Sequence, residues 1–131
     1  MTIFDSSVWV AFFDESDSLH ARARREATKS VLPILLPDVI ALETATVLLR
    51  KGGKGLADIF LKNTIWNKDV LSITNTIHGL RTWAQFYISL QDKKLSPVDT
   101  ILLQLSSGYE ILTYDKALAR AIRKRRGKLV K

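Results

Sequence analysis

The chain of 131 residues contains no cysteine, so it can form neither a disulfide bond nor a thiolate metal site. Its two histidines, His20 and His78, are far apart in the sequence and show no ligand spacing. No apolar run approaches the roughly 20 residues that a membrane-spanning helix needs, so we expect no membrane partner. The N-terminus has no basic region before its apolar stretch, which predicts a cytoplasmic protein without a secretory signal.

Acidic residues are outnumbered by basic ones, with 13 Asp and Glu against 20 Lys and Arg and a net charge of +7. A basic protein of this kind is suited to a polyanion, and nucleic acid is the commonest one. The length fits one domain that covers residues 1–131. In so basic a chain, acids that stand beside apolar residues require an explanation.

Short apolar segments alternate with helical patterns along the whole chain. The segments at residues 3–4, 33–37, 69–74 and 109–114 predict buried strands, and residues 127–131 predict a short edge strand. Helices are predicted at residues 8–13, 19–29, 38–51, 56–64, 75–92, 97–108 and 115–126. This alternation predicts an α/β fold with a mostly parallel sheet and helices on both faces.

The predicted helix at residues 75–92 is rich in aromatic and aliphatic side chains at helical spacing. These could form a platform for stacked bases, but we interpret them as core residues. They are Ile77, Leu80, Trp83, Ala84, Tyr87 and Ile88.

Two acids follow predicted strands directly. Asp5 ends the first strand and Asp115 follows the fourth. The carboxyl ends of parallel strands lie at one edge of a sheet, where ligands usually bind. Each acid therefore has two interpretations, as a metal ligand or as the N-cap of the helix that follows.

Glu43 and Asp99 lie within predicted helices rather than at strand ends. Glu43 is beside Val39, Ile40 and Val47, so it lies on or near an apolar face, where an unpaired carboxylate is costly. Capping cannot explain an acid in mid-helix, and Arg50 or Lys51 could reach it only with difficulty. Asp99 follows Ser96 at the position that completes a capping box, although its helical neighbours are mostly apolar.

Three or four acids that converge on one edge are best explained by a divalent metal ion. Mg²⁺ and Mn²⁺ prefer a few carboxylates and retain several waters. Two such ions can stabilise both the attacking and the leaving oxygen of a phosphodiester displacement. An acidic pocket in a basic protein is the arrangement that a metal-dependent nuclease requires, because the basic rim can hold phosphates.

Four short motifs in order resemble those of a PIN domain. They are Ile3-Phe4-Asp5-Ser6-Ser7, Glu43 on the helix after Leu36-Pro37, Ser96-Pro97-Val98-Asp99, and Leu112-Thr113-Tyr114-Asp115. Length and spacing resemble most the toxin ribonucleases of VapBC-type toxin–antitoxin pairs. The resemblance spans the whole chain, although residues 52–75 offer no signature.

The resemblance implies a three-layer α/β/α fold with a mostly parallel five-stranded sheet. It also implies a Mg²⁺ or Mn²⁺ site ringed by Asp5, Glu43, Asp99 and Asp115, with Ser7 and Thr113 in supporting roles. The implied reaction is endonucleolytic hydrolysis of RNA by water that the ion activates and that Asp99 or Glu43 orients. The implied partners are RNA, a cognate antitoxin protein and a second copy of the chain in a homodimer.

Two other classes were weighed against the nuclease. One is a catalytically inactive PIN-like module that binds RNA, against which the presence of all four acids argues. The other is a phosphoacceptor receiver domain, which requires two adjacent acids after the first strand, whereas Asp5 stands alone.

Two further groups of residues each have two interpretations. Basic residues crowd the second helix and the C-terminal region, where they either contact phosphates or form a solvated face: Arg22, Arg24, Arg25, Arg120, Arg123, Lys124, Arg125, Arg126 and Lys128. Trp9, Phe12 and Phe13 either pack in the core or line a groove for an antitoxin segment.

Overall fold

A computed structural model describes residues 1–74, 79–92 and 94–131. The strands in this part of the chain are β1 (Thr2–Phe4), β2 (Ile34–Pro37), β3 (Val70–Ile73) and β4 (Glu110–Leu112). The helices are α1 (Ser6–Phe13), α2 (His20–Lys29), α3 (Asp38–Thr64), α4 (Gly79–Ser89), α5 (Pro97–Leu105) and α6 (Lys116–Lys124). The predicted α/β class is confirmed.

The strands form a parallel sheet in the order β3-β2-β1-β4. Ile3 of β1 lies opposite Leu35 of β2 on one side and Ile111 of β4 on the other, and all three are buried. This placement explains why β1 is apolar although it is only three residues long. The next residue, Asp5, therefore lies at the carboxyl end of a strand in the middle of the sheet.

The order of the strands places the helices in two layers. The chain moves from β1 to β2 to β3 in one direction and then returns past β1 to β4. Since crossovers between parallel strands are right-handed, the helices before β3 and those after it lie on opposite faces. In agreement, α1 packs against α2 and α3, whereas α5 packs against α4 and α6.

The expected fifth strand is reduced to a single bridge in the described residues. Leu129 pairs in parallel with Ile111, and the Val130 N–H donates to the Ile111 carbonyl at 3.0 Å. The ladder cannot extend far because its partner strand β4 has only three residues. The predicted parallel sheet is confirmed, with four strands in the described residues and the fifth present only as this bridge.

Helix α3 contains the break that the sequence predicts at Gly52 and Gly53. Gly53 has φ of 82° and ψ of −177°, in a region that favours glycine, and helical geometry resumes after it. The two predicted helices at residues 38–51 and 56–64 are thus the two halves of α3. The first half carries Glu43 toward the carboxyl ends of the strands.

Helix α4 is less buried than its sequence suggests. Leu80 and Ile88 are 75% and 79% exposed, and Tyr87 is also exposed, so their interpretation as core residues was wrong. Trp83 is half-buried, and its Nε1 donates a hydrogen bond to Thr100 Oγ1 at 2.9 Å. The predicted start of this helix and Ile77 lie outside the described residues.

None of the helices in the described ranges combines the length and apolarity that crossing a membrane requires.

Candidate active site

A cavity of about 470 Å³ opens at the carboxyl ends of the strands. All four acids singled out in the sequence line it, each from a different part of the chain. Asp5 follows β1, Glu43 lies in α3, Asp99 lies in the first turn of α5, and Asp115 precedes α6. The fold therefore brings together carboxylates that are separated by as many as 110 positions in the sequence.

Asp5 is the most deeply placed of these acids, with 3% of its surface exposed. Its Oδ1 accepts a hydrogen bond from the Ser6 N–H at 2.7 Å, so it caps α1. Its Oδ2 accepts from the hydroxyls of Ser7 at 3.0 Å and Thr113 at 2.7 Å. Burial raises the pKa of Asp5 above its usual value, and these hydrogen bonds oppose the rise.

Ser7 and Thr113 connect the two ends of the site. The Ser7 hydroxyl accepts a hydrogen bond from the Tyr114 N–H at 3.0 Å, while Thr113 Oγ1 accepts from the Asp115 N–H at 3.0 Å. Each hydroxyl thus donates to Asp5 and accepts from the loop after β4. The predicted supporting residues are therefore in contact with the first acid, although Thr113 does not itself line the cavity.

Glu43 is the acid that local structure explains least. Its Oε2 is buried and has no hydrogen-bond partner among the described residues. Burial raises its pKa, and repulsion from Asp5, Asp99 and Asp115 adds to the rise, although the Ser6 hydroxyl opposes it. A buried carboxylate oxygen without a partner is costly, so Glu43 Oε2 favours a cation or a water molecule beside it.

Asp99 and Asp115 act as helix caps and also face the cavity. Asp99 forms a capping box with Ser96, in which each side chain accepts from the backbone N–H of the other. Asp115 Oδ1 accepts from the N–H groups of Ala117 and Leu118 at 2.8 and 3.1 Å. Capping occupies one oxygen of each carboxylate and fixes its direction. The two interpretations of these acids are therefore compatible.

The pKa of Asp99 shows that the carboxylates share one electrostatic environment. Burial raises it, and repulsion from Asp5 and Asp115 raises it further, while the backbone of Ser96 opposes the rise. Asp5, Asp99 and Asp115 line the same cavity, so the first and last of them act on Asp99 in a partly desolvated space. The cavity thus collects negative charge in a chain whose net charge is +7.

The donor set fits Mg²⁺ or Mn²⁺. Carboxylate oxygens on a cavity open to water are the ligands these ions prefer, and the unsatisfied Glu43 Oε2 is a ready donor. As the side chains stand, no three Asp, Glu or His residues in the described part of the chain form a group that could hold an ion.

Several residues that line the cavity carry no sequence signature. Asp17 and Leu19 come from the turn before α2, and Lys51 comes from the end of the first half of α3. Lys51 follows Glu43 by eight residues, a helical spacing that could have placed it on the same face. Nothing in the sequence indicated Asp17.

Tyr114 fastens the loop after β4 to α2. Its hydroxyl donates to Glu26 Oε2 at 2.7 Å, and burial, with help from Glu26, raises its pKa. Arg22 pairs with Glu26 at 2.9 Å and lies 4.8 Å from the centre of the Tyr114 ring. This contact holds the loop that presents Thr113 and Asp115.

A second and larger cavity, which we call the aromatic groove, has a volume of about 1010 Å³. Trp9, Phe12 and Phe13 of α1 line it together with Leu56 and Ile59 of α3. Trp9 is 4% exposed, whereas Phe12 and Phe13 are half-buried, so the three aromatics serve both the core and the groove.

Comparisons of the sequence and of the fold with known proteins identify the family. The sequence profile of the PIN domain matches residues 2–124. The chain belongs to the PIN domain family. This PIN domain is similar in structure to VapC20 of Mycobacterium tuberculosis, a toxin that cleaves the sarcin-ricin loop. The TM-score is 0.80 at 17% identity, over 92% of this chain and 95% of that chain. No curated protein sequence matches it.

Proposed function

We propose that residues 1–131 form one PIN domain that acts as a metal-dependent endoribonuclease, the toxin of a type II toxin–antitoxin pair. The observation that carries the proposal is the set of four carboxylates in one cavity, among which Glu43 Oε2 has no hydrogen-bond partner in the described residues. No structural role of the helices accounts for that oxygen. A cation bound among the carboxylates would satisfy it.

Asp5, Glu43, Asp99 and Asp115 would hold Mg²⁺ or Mn²⁺. When bound, such an ion neutralises charge on the phosphate and makes water a better nucleophile. Thr113 and Ser7 keep Asp5 in place through the hydrogen bonds at 2.7 and 3.0 Å. Asp99 or Glu43 would orient the attacking water, and the capping hydrogen bonds fix the side chains of Asp99 and Asp115.

RNA is the proposed substrate for two reasons. The net charge of +7 suits a polyanion, and the similar VapC20 is described as a toxin that cleaves the sarcin-ricin loop. Exposed basic side chains at and just after the end of α6, among them Arg123, Lys124 and Arg126, are suited to contact phosphates, although none of these three lines the cavity.

An antitoxin is the proposed partner of the aromatic groove, and a homodimer is the proposed assembly. The groove offers half-buried Phe12 and Phe13 beside exposed Ile59, a surface suited to an apolar peptide segment. Leu80 and Ile88 on α4 remain as exposed apolar side chains that a second copy could cover.

The test combines metal, stability and cleavage. Mn²⁺ binds the folded state only, so millimolar Mn²⁺ should raise the melting temperature of the wild type. Asp5→Asn should melt higher than wild type in EDTA, because it removes a buried charge, but it should gain less from Mn²⁺. It should also fail to cut RNA, assayed on a sarcin-ricin loop hairpin, tRNA and mRNA.

Asp58→Asn is the matched control, since Asp58 pairs with Lys54 outside the cavity. It should respond to Mn²⁺ and cut RNA as the wild type does. No Mn²⁺-dependent shift in the wild type, or cleavage by Asp5→Asn at the wild-type rate, would refute the metal site. A metal-dependent shift and RNA binding without cleavage would instead favour the inactive RNA-binding module.

A further inference from the structure

We propose that Lys51 positions the RNA by binding a phosphate next to the one that is cut; this inference rests on the proposed function. Lys51 lines the same cavity as the four acids. Among the described residues that line it, Lys51 is the one lysine or arginine. Its side chain is 47% exposed, so the ammonium group is accessible to a ligand in solution.

The spacing along α3 explains how Lys51 reaches the cavity. Glu43, Val47 and Lys51 follow one another at intervals of four residues, and all three line it. At the rise of an α-helix, Lys51 is about 12 Å farther along the axis than Glu43. That separation of the two backbone positions makes Lys51 suited to a flanking phosphate rather than to the reacting one.

The existing partner of Lys51 is weak. Its Nζ lies 3.9 Å from Asp17 Oδ2, which is near the limit for an ion pair and too long for a hydrogen bond. Asp17 itself is held by the Leu19 N–H, which donates to its Oδ1 at 2.8 Å. Asp17 therefore holds the ammonium only loosely, and exchange of this distant carboxylate for a phosphate costs little.

Charge explains why a cation is needed at this position. The four carboxylates repel the sugar-phosphate backbone, and bound metal would neutralise them only at the reacting phosphate. The neighbouring phosphates of the RNA would still be repelled by the carboxylates of the cavity unless a lysine or arginine side chain bound them. Lys51 supplies that charge without joining the carboxylates themselves.

The competing explanation is that Lys51 serves stability alone, through Asp17 or through the general field of the acids. Lys54 provides the matched comparison, because it lies on the same helix but outside the cavity and pairs with Asp58 at 2.8 Å. Lys51→Met and Lys54→Met remove the same charge from the protein. Only a specific contact with RNA distinguishes them.

The experiment uses whichever of the sarcin-ricin loop hairpin, tRNA and mRNA the wild type cleaves most efficiently. Its cleavage is measured for Lys51→Met, Lys54→Met, Lys51→Arg and Asp17→Asn. Lys51→Met should raise KM about tenfold with little change in kcat, as expected for one charge-assisted contact made equally in the ground and transition states. Lys51→Arg should restore most of the affinity, because it retains the charge. Lys54→Met should leave KM near the wild-type value, and Asp17→Asn, which removes the carboxylate that competes with the phosphate for Lys51, should not raise KM.

A binding arm separates this inference from the proposed function. In an Asp5→Asn background, binding of a short fluorescein-labelled single-stranded RNA is measured against salt concentration. Lys51→Met should make the slope shallower by about 0.7, the value for one lost phosphate contact on a single strand. Equal slopes and equal KM values for the Lys51 and Lys54 variants would overturn the role of Lys51. Absence of cleavage in the wild type would refute the nuclease, while this slope would still decide on Lys51.

Discussion

Replacing Thr113 with valine removes one hydroxyl and keeps the shape of the side chain. That hydroxyl donates to Asp5 Oδ2 at 2.7 Å and accepts from the Asp115 N–H at 3.0 Å. It is the shortest link between the buried carboxylate after β1 and the loop after β4. We therefore expect Thr113→Val to destabilise the protein and to disturb the positions of both acids.

The magnitude follows from the two hydrogen bonds. A bond to an ionised carboxylate contributes about 1.5–3 kcal/mol, and a neutral one contributes about 0.5–1.5 kcal/mol, so the combined loss is about 3 kcal/mol. For 131 residues the entropy of unfolding is about 0.28 kcal/mol/K, which converts this loss into a fall of roughly 11 °C in melting temperature. Thr113→Ser keeps the hydroxyl and should cost only about 1 kcal/mol, for the lost methyl group.

The loss should depend on pH. The Thr113 hydrogen bond lowers the pKa of Asp5 against the rise that burial causes, so it favours the ionised carboxylate. Its contribution is therefore present above that pKa and is lost as pH falls through it. The difference in melting temperature between Thr113→Val and Thr113→Ser should therefore become smaller as the pH is lowered.

Thermal unfolding of wild type, Thr113→Val and Thr113→Ser in EDTA across a pH series checks this reasoning. Cleavage of RNA by the same proteins with Mn²⁺ reports on the acids. If Thr113→Val and Thr113→Ser have the same melting temperature at neutral pH, the hydroxyl does not stabilise Asp5. The hydrogen bonds that join Thr113 to Asp5 and Asp115 would then make no contribution to stability.

Three further results are expected. In EDTA at neutral pH, Glu43→Gln should melt at a higher temperature than the wild type. The pKa of Glu43 is raised in the folded protein, so the folded state loses stability as the pH rises through that pKa and the carboxyl group ionises. Glutamine cannot ionise, so the variant does not lose this stability. Scanning calorimetry that finds no gain would contradict this. Phe13→Ala should fold yet bind the antitoxin more weakly in titration calorimetry, and full affinity would count against the groove. Replacing Arg123 and Arg126 with glutamine should flatten the salt dependence of RNA binding, and an unchanged slope would assign both to the solvated surface.

Local sequence was sufficient to predict the strands and the acids at their ends. Strand β1 is apolar because it lies between two strands, and the change from Phe4 to Asp5 marks the point where the chain leaves the sheet. Asp5, Asp99 and Asp115 could be predicted as caps from their neighbours alone. Their presence in one cavity follows from the parallel sheet, while their role as ligands stays a prediction.

What the sequence could not predict depends on how the helices dock. The place of Asp17 in the cavity and the contact between Tyr114 and Glu26 arise because α2 packs beside the loop after β4, and no periodicity encodes that choice. Helix α4 shows the same limit. Its spacing predicts an apolar face but not what covers it, and Leu80 is exposed in the structure.

The pairing of β1 with β4 also determines when the site can exist during synthesis. A nascent chain that ends before Glu110 contains three of the four acids but lacks the strand that flanks β1, and Asp5 then has no Thr113 to hold it. Folding of residues 1–109 alone therefore cannot produce the complete carboxylate cavity. The proposed nuclease would therefore stay unassembled while its own chain is being translated, beside ribosomal RNA and its own message.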